Sequence, residues 1–307
     1  MRKLTPILAA GLLAVSLGSG FDAEGPIYGP VLNTIVVPKG SIPKVGAKSA
    51  LVMDARTGKV LWAKDADSPR YPASTTKIMT ALLLIERTKP EDILVAPADV
   101  NKVPESSMNL KPGERVSARD MLYALLLRSA NDGAYTVAVN VGGSVEGFAR
   151  MMNERARALG ATNTNFTNPH GLRDDKHQTT ARDLAIIARE AMTHPDFAQA
   201  ARTYKYKITR SINQGDTMLV SHNKALKKDP TTDGIKTGFT IPAGKCFVGS
   251  ATRNGYRLIT VVLKSDDWQS DNEQMLAWAF ASHERTMLAQ AGTHLEYIYT
   301  RRQPDKP

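Results

Sequence analysis

Apolar and polar positions along this chain fall into three textures. Two short apolar runs, Ala50-Leu51-Val52-Met53-Asp54 and Lys59-Val60-Leu61-Trp62-Ala63, flank Arg56-Thr57-Gly58. Strand-like runs on either side of a glycine turn predict a β-hairpin. From Ser74 to about Arg87 the spacing becomes helical, with Ile78, Met79, Leu82, Leu83, Leu84 and Ile85. Apolar side chains occur nearly all round, which predicts a helix buried inside the domain. A second helix opens at Ser117-Ala118-Arg119-Asp120, a capping box with Asp at the usual Glu position. It runs through Met121, Leu122, Leu125 and Leu126 and stops near Ser129. A third is predicted from Val145 to Leu159, ended by Gly160. A fourth opens at Thr180-Ala181-Arg182-Asp183 and carries Leu184, Ile186, Ile187 and Ala188. After about Tyr206 strands return: Gly234 to Phe239, Phe247 to Ala251 and Leu258 to Leu263, the last two joined across Asn254-Gly255. Asn-Gly is a strong hairpin turn. A last helix is expected from about Asp271 to His283.

Strands at both ends with helices between them predict an α+β fold, in which an antiparallel sheet drawn from both chain ends packs on helices beside a separate helical lobe. The expected organisation is a signal peptide at 1–23, a lead-in segment at 24–46, a catalytic domain at 47–290 and a tail at 291–307. The signal is read from Met1-Arg2-Lys3, the apolar run from Leu4 to Leu17, and the small residues that follow. That run is too short for the ~20 residues a bilayer core needs, so no transmembrane segment is expected in the mature chain. Within the lead-in only Thr34-Ile35-Val36-Val37 is strand-like.

Hydrophobic residues make up 42% of the 307 and charged ones 23%, which fits an ordinary globular protein rather than a disordered or fibrous one. The formal charge of +10 suits a polyanionic neighbour such as cell-wall polymer or anionic lipid. Nucleic acid is not expected, because aromatic residues are few and no binding motif appears. Cys246 is the only cysteine, so no internal disulfide is possible; on a strand it reads as a buried small residue. His170, His177 and His222 are spaced without a metal pattern and read as loop or hydrogen-bonding residues. No metal and no cofactor is expected.

Three short patterns carry chemistry. Ser74-Thr75-Thr76-Lys77 stands where the first helix begins, and a spacing of three puts Ser74 and Lys77 on one helix face. A serine hydroxyl becomes a nucleophile when a neighbouring amine of lowered pKa takes its proton. Ser41-Ile42-Pro43-Lys44 has the same spacing, but Pro43 and the absence of a following apolar helix argue for a loop. Ser129-Ala130-Asn131 ends a buried helix, where a turn can hold a hydroxyl and an amide against another site. The same pattern at Ser211, Ser221 and Ser270 lacks that setting. Lys236-Thr237-Gly238 lies on a strand, with Lys236 and Gly238 on one face and Thr237 on the other. A cation and a hydroxyl suit a substrate carboxylate there, and glycine lets a substrate backbone approach.

In this order, 55 and 107 residues apart, the three resemble the marks of class A β-lactamases and penicillin-binding proteins. The resemblance extends to the low-molecular-mass D-alanyl-D-alanine carboxypeptidases over roughly residues 45–285. Tyr71 to Ala81 is similar to their active-serine segment, Arg128-Ser129-Ala130-Asn131-Asp132 to their second motif, and Asp233 to Thr240 with Ala243-Gly244-Lys245-Cys246 to their third. Asn168-Pro169-His170-Gly171-Leu172, His177 and Thr179 to Leu184 are also similar.

The resemblance implies an exported enzyme, in the periplasm or on the outer face of the cytoplasmic membrane, that removes the terminal D-alanine of peptidoglycan stem peptides. Ser74 would form the acyl-enzyme, Lys77 would take its proton, Ser129 would pass a proton to the leaving amine, and Asn131 would bind the peptide amide. Lys236 and Thr237 would hold the terminal carboxylate, with the N–H groups of Ser74 and Phe239 as the oxyanion hole beside Gly238. His222, fourteen residues before Lys236, stands where related enzymes often place a basic group near that carboxylate. β-Lactam antibiotics would acylate the same serine. Many relatives carry a further β-rich domain and an amphipathic anchor; this sequence is not expected to contain either. The alternatives are a DD-endopeptidase cutting peptidoglycan cross-links and a non-catalytic wall-binding protein of the same fold. A β-lactamase is disfavoured, since no Glu-x-x-Leu-Asn segment follows Asn131.

Overall fold

The computed structural model describes residues 42–104 and 106–290, with side chains through His283. The expected signal at 1–23, the Thr34–Val37 run, Ser41 and the tail at 291–307 lie outside the described residues.

In chain order, β1 (Ser49–Asp54) and β2 (Val60–Lys64) form the expected hairpin, and a 3-10 turn (Ala73–Thr76) feeds α1 (Lys77–Arg87). β3 (Ile93–Val95) and β4 (Arg115–Ser117) make a small ribbon. Then come α2 (Ala118–Tyr123), α3 (Asn131–Gly142), α4 (Val145–Leu159), α5 (Ala181–Ala191) and α6 (Pro195–Arg202). A second ribbon joins β5 (Lys205–Lys207) to β6 (Met218–Val220), followed by α7 (Ala225–Lys228). The chain closes with β7 (Thr232–Thr240), β8 (Gly244–Arg253), β9 (Tyr256–Ser265) and α8 (Trp268–Gln290).

The main sheet has the order β2-β1-β9-β8-β7 and is antiparallel throughout. The two chain ends meet at β1 and β9, where Leu51 stands opposite Val261 and Val52 opposite Thr260. Alternation along the strands sorts their side chains into two cores. Ala50, Val52, Phe247, Ala251, Leu258 and Val262 join Met275, Leu276 and Phe280 of α8 on one face. Leu51, Met53, Val248, Ile259, Val261 and Leu263 face the helices on the other. Both faces are covered, which explains why these strands read as continuous apolar runs. In the helical core, Lys77 to Leu84 of α1 are all buried.

The helix starts obey their sequence signals in a modified form. Ser117 Oγ accepts from Asp120 N–H at 3.1 Å, and Thr180 Oγ1 from Asp183 N–H at 3.1 Å. Aspartate carboxylates are too short to close the box comfortably, and here they serve other segments. Asp120 accepts from Tyr206 Oη and Thr209 N–H, and Asp183 from Asn163 N–H and the Thr164 hydroxyl. The second helix narrows the expectation: α2 ends at Tyr123, and Ala124–Arg128 continue as a wide π turn. Helix α3 begins inside the polar Ser129–Gly133 stretch, which masks its start. Helix α6 begins on a proline, a good first helical residue but a poor sequence signal inside a loop. The two ribbons are three residues long on each side, too short to show alternation.

Candidate active site

Ser74 is presented by a sharp turn. Ala73, just before it, has φ +48°, a left-handed conformation uncommon for a residue with a side chain. The turn is closed by two threonines: Thr75 Oγ1 donates to Pro72 C=O at 2.6 Å and Thr76 Oγ1 to Ala73 C=O at 2.8 Å. Gly171, at φ +85°, lies so close that a Cβ on it would stand 1.8 Å from the Ala73 carbonyl oxygen. Only glycine fits there.

Lys77, the first residue of α1, is completely buried. Its Nζ lies 3.1 Å from Ser74 Oγ, 2.6 Å from Asn131 Oδ1 and 2.8 Å from the His170 carbonyl oxygen. Asn131 Nδ2 donates to Pro104 C=O at 3.0 Å, which turns Oδ1 toward the lysine. Burial, and secondarily the charge of Lys236, holds the Lys77 amine well below the ordinary lysine range; Asp132 opposes the shift without reversing it. A neutral amine has two N–H donors and one lone pair. The asparagine oxygen and the carbonyl can only accept, so in the neutral form they take the donors and the lone pair is left facing Ser74 Oγ.

The second motif sits where the π turn ends. Ser129 is buried with φ 62° and ψ 35°, and Asn131 opens α3 two residues later. Asp132 fastens the segment above it. Its carboxylate accepts from Ser107 Oγ at 2.5 Å, Met108 N–H at 3.0 Å and Leu110 N–H at 2.9 Å.

The third motif lies on β7, one of the two edge strands of the main sheet, which packs against both the Ser74 turn and the π turn. A Cβ on Gly238 would stand 2.9 Å from the Ser74 amide nitrogen and 3.1 Å from that of Thr75. Lys236 shares this face and is buried; desolvation brings its amine down to about 7. Thr237 is half-buried and Phe239 is 64% exposed, so both can meet a ligand. Opposite Gly238 on β8 stands Cys246, fully buried, its thiol pushed up to about 11 by burial. His222 lies within electrostatic reach of Lys236 and Arg128, and burial together with those charges lowers its pKa.

Several contributors carry weaker sequence signals. Asn168-Pro169-His170-Gly171 braces the site from below: Asn168 Oδ1 accepts from Gly171 N–H at 2.7 Å, and Thr80 Oγ1 donates to Pro169 C=O at 2.5 Å. The part His170 plays toward Lys77 belongs to its backbone, which no side-chain pattern can announce. Among the described residues one carboxylate–imidazole group comes together, Glu86, Glu190 and His194. Arg155 Nη2 already bridges its carboxylates, at 2.6 Å and 2.7 Å.

Known proteins resemble this chain in both sequence and fold. The family described as D-alanyl-D-alanine carboxypeptidase matches residues 37–267. The chain is 35% identical over 246 residues to the D-alanyl-D-alanine carboxypeptidase DacF of Bacillus subtilis, covering 78% of this chain and 63% of that protein. It thus spans just under two thirds of that relative's length. It is 36% identical over 232 residues to DacB2 of Mycobacterium tuberculosis, covering 74% and 79% of the two chains. A Streptomyces DD-transpeptidase crystal structure superposes with a TM-score of 0.74 at 30% identity, covering 78% of this chain and 99% of that one. A D-alanyl-D-alanine carboxypeptidase structure from Mycobacterium tuberculosis gives 0.74 at 33% identity, covering 80% and 96%. The β-lactamase-like architecture and the three-motif cleft accompany a match over most of the sequence, and the chain belongs to the D-alanyl-D-alanine carboxypeptidase family of serine peptidases.

Proposed function

We propose that this protein removes the terminal D-alanine from peptidoglycan stem peptides through an acyl-enzyme on Ser74, and that β-lactams acylate the same residue. The observation that carries the reading is the Lys77 amine, buried, 3.1 Å from Ser74 Oγ, with its two other contacts on groups that can only accept. In the proposed sequence the serine proton passes to the Lys77 lone pair as Oγ attacks the D-alanyl carbonyl. The oxyanion forms where Gly238 leaves room against the Ser74 amide, with the Phe239 N–H as second donor. Lys236 and Thr237 take the terminal carboxylate, so the substrate must end in a free acid. Asn131 orients the lysine through its oxygen and borders the peptide. Ser129 returns a proton to the leaving amine, D-alanine departs, and water releases the acyl group.

Peptidoglycan lies outside the cytoplasmic membrane, and the Met1–Gly20 segment supports export to it. Among the described residues no helix is long and apolar enough to cross a membrane.

Labelling with fluorescent penicillin, followed by mapping of the tagged peptide, tests the nucleophile. An adduct on Ser74 that is lost in Ser74→Ala is the expected result, and an adduct elsewhere overturns it. The likeness to a Streptomyces DD-transpeptidase favours one second reading, in which an amine rather than water takes the acyl group. Defined wall fragments separate the outcomes: free D-alanine alone for the carboxypeptidase, new cross-linked dimers for the transpeptidase, loss of dimers for an endopeptidase.

A further inference from the structure

The geometry points to His177 as a positioning residue for the reaction, holding the Ala73 turn through Thr76 so that Ser74 faces Lys77; this rests on Ser74 being the nucleophile. His177 is buried beneath that turn, at 1% exposure. Its Nδ1 accepts from the Thr167 backbone N–H at 3.0 Å, and its Nε2 lies 2.9 Å from Thr76 Oγ1.

Two separate constraints fix where the protons sit. A backbone N–H can only donate, so Nδ1 must be bare and the ring proton is on Nε2. The Thr76 hydroxyl has one proton, which it gives to Ala73 C=O at 2.8 Å. Its contact with His177 must therefore be Nε2–H donating to the hydroxyl oxygen. Both requirements select the same neutral tautomer. The result is a one-way chain of three donors: Thr167 N–H to His177, His177 N–H to Thr76, and Thr76 O–H to Ala73 C=O.

The chain ends on the residue that most needs support. Ala73 is held at φ +48°, where a side-chain-bearing residue stays only if its surroundings hold it there. Gly171 closes on the same carbonyl oxygen and on the Thr76 hydroxyl: a Cβ there would stand 1.8 Å from the one and 2.7 Å from the other. Thr76 is also the residue just before Lys77, so one hydroxyl governs the turn on the serine side and the start of the helix that carries the lysine. Burial keeps the ring neutral, bringing its pKa down to about 4; Lys77 adds to that effect and Asp174 opposes it. His170, the other imidazole near the turn, is held neutral as well, at about 3.

The test measures penicillin acylation of His177→Ala, His177→Gln, Thr76→Val and Thr76→Ser, with Ser74→Ala as the control for the nucleophile. Misplacing a reacting group by about 1 Å costs on the order of 10²-fold in rate. His177→Ala and Thr76→Val are each expected to slow the acylation step ~10- to 100-fold while changing the affinity of the pre-acylation complex little. His177→Gln, whose amide can still donate near Nε2, and Thr76→Ser are expected to recover most of the rate. The double variant His177→Ala, Thr76→Val is expected to be no slower than the worse single one, since both cut one chain.

Wild-type acylation per folded molecule in His177→Ala, or fully additive losses in the double variant, would overturn the proposal. If His177→Ala does not fold, the Thr76→Val and Thr76→Ser pair decides alone: equal rates in the two refute the relay. Persistent labelling of Ser74→Ala would instead sink the Ser74 reading, a separate failure.

Discussion

Lys77 Nζ and Asn131 Oδ1 are 2.6 Å apart across 54 residues of sequence, so the first two motifs share a single amine. The asparagine fixes which way the lysine lone pair points, and Lys236 on the third motif helps to strip the lysine of its proton. The second and third motifs thus both bear on the lysine of the first.

That coupling predicts a bell-shaped pH profile for kcat/KM on a peptide with a free carboxylate. Lys77 must be neutral to act, and its lowered pKa moves the rising limb well below the ordinary lysine range. Lys236 must be charged to bind the carboxylate, so activity falls as pH rises through its pKa of about 7. In kcat the falling limb should move to higher pH, because a bound carboxylate holds the Lys236 proton. Steady-state kinetics from pH 5 to 10 check both limbs. Acylation retained in Lys77→Arg, with only the rising limb lost, would contradict the base role.

Gly238→Ala should slow acylation sharply while leaving the fold intact. The new methyl would stand 2.9 Å from the Ser74 nitrogen and 3.1 Å from that of Thr75, so strand and turn must separate. A shift of about 1 Å there costs on the order of 10²-fold or more. Penicillin labelling and a thermal melt, read together, are the check.

Arg210 and Glu114 form an ion pair with both side chains at 0% exposure, Nε to Oε1 at 2.7 Å and Nη2 to Oε2 at 2.9 Å. Arg210 also donates to the carbonyls of Met108 and Asn109, in the segment that Asp132 fastens above Asn131. Arg210→Met leaves a buried carboxylate alone and should cost about 3–5 kcal/mol. Pairing it with Glu114→Leu should recover much of that loss in urea unfolding, because the unpaired charge is gone.

Acid stability should depend on His177. In the unfolded chain a histidine binds its proton near ~6.5, whereas folded His177 does so only near about 4. Between these values the unfolded state holds the extra proton, so stability rises with pH. The contribution is complete above about 6.5 and is lost as pH falls toward 4. Urea unfolding at pH 7 and pH 4.5 should therefore show a smaller drop for His177→Gln than for wild type, by on the order of 2 kcal/mol.

Phe247–Ala251 and Leu258–Leu263 could be read from the chain because strands buried on both faces are nearly continuous in apolar residues, whereas Gly234–Phe239, with Lys236 and Thr237 inside it, was legible through its motif. The Ser74, Ser129 and Lys236 motifs were legible because reactive residue types recur at short, fixed spacings next to a helix start, a helix end and a strand. Local sequence determined those elements and the order of the motifs. Tertiary structure alone decided which groups meet at Lys77 and how its proton is held. The His170 carbonyl is backbone, identical in every residue type, and Gly171 matters only because Ala73 approaches it from 98 positions away. The desolvation that lowers both lysines comes from helices and strands closing over them, a property of assembled volume that no single stretch of chain encodes.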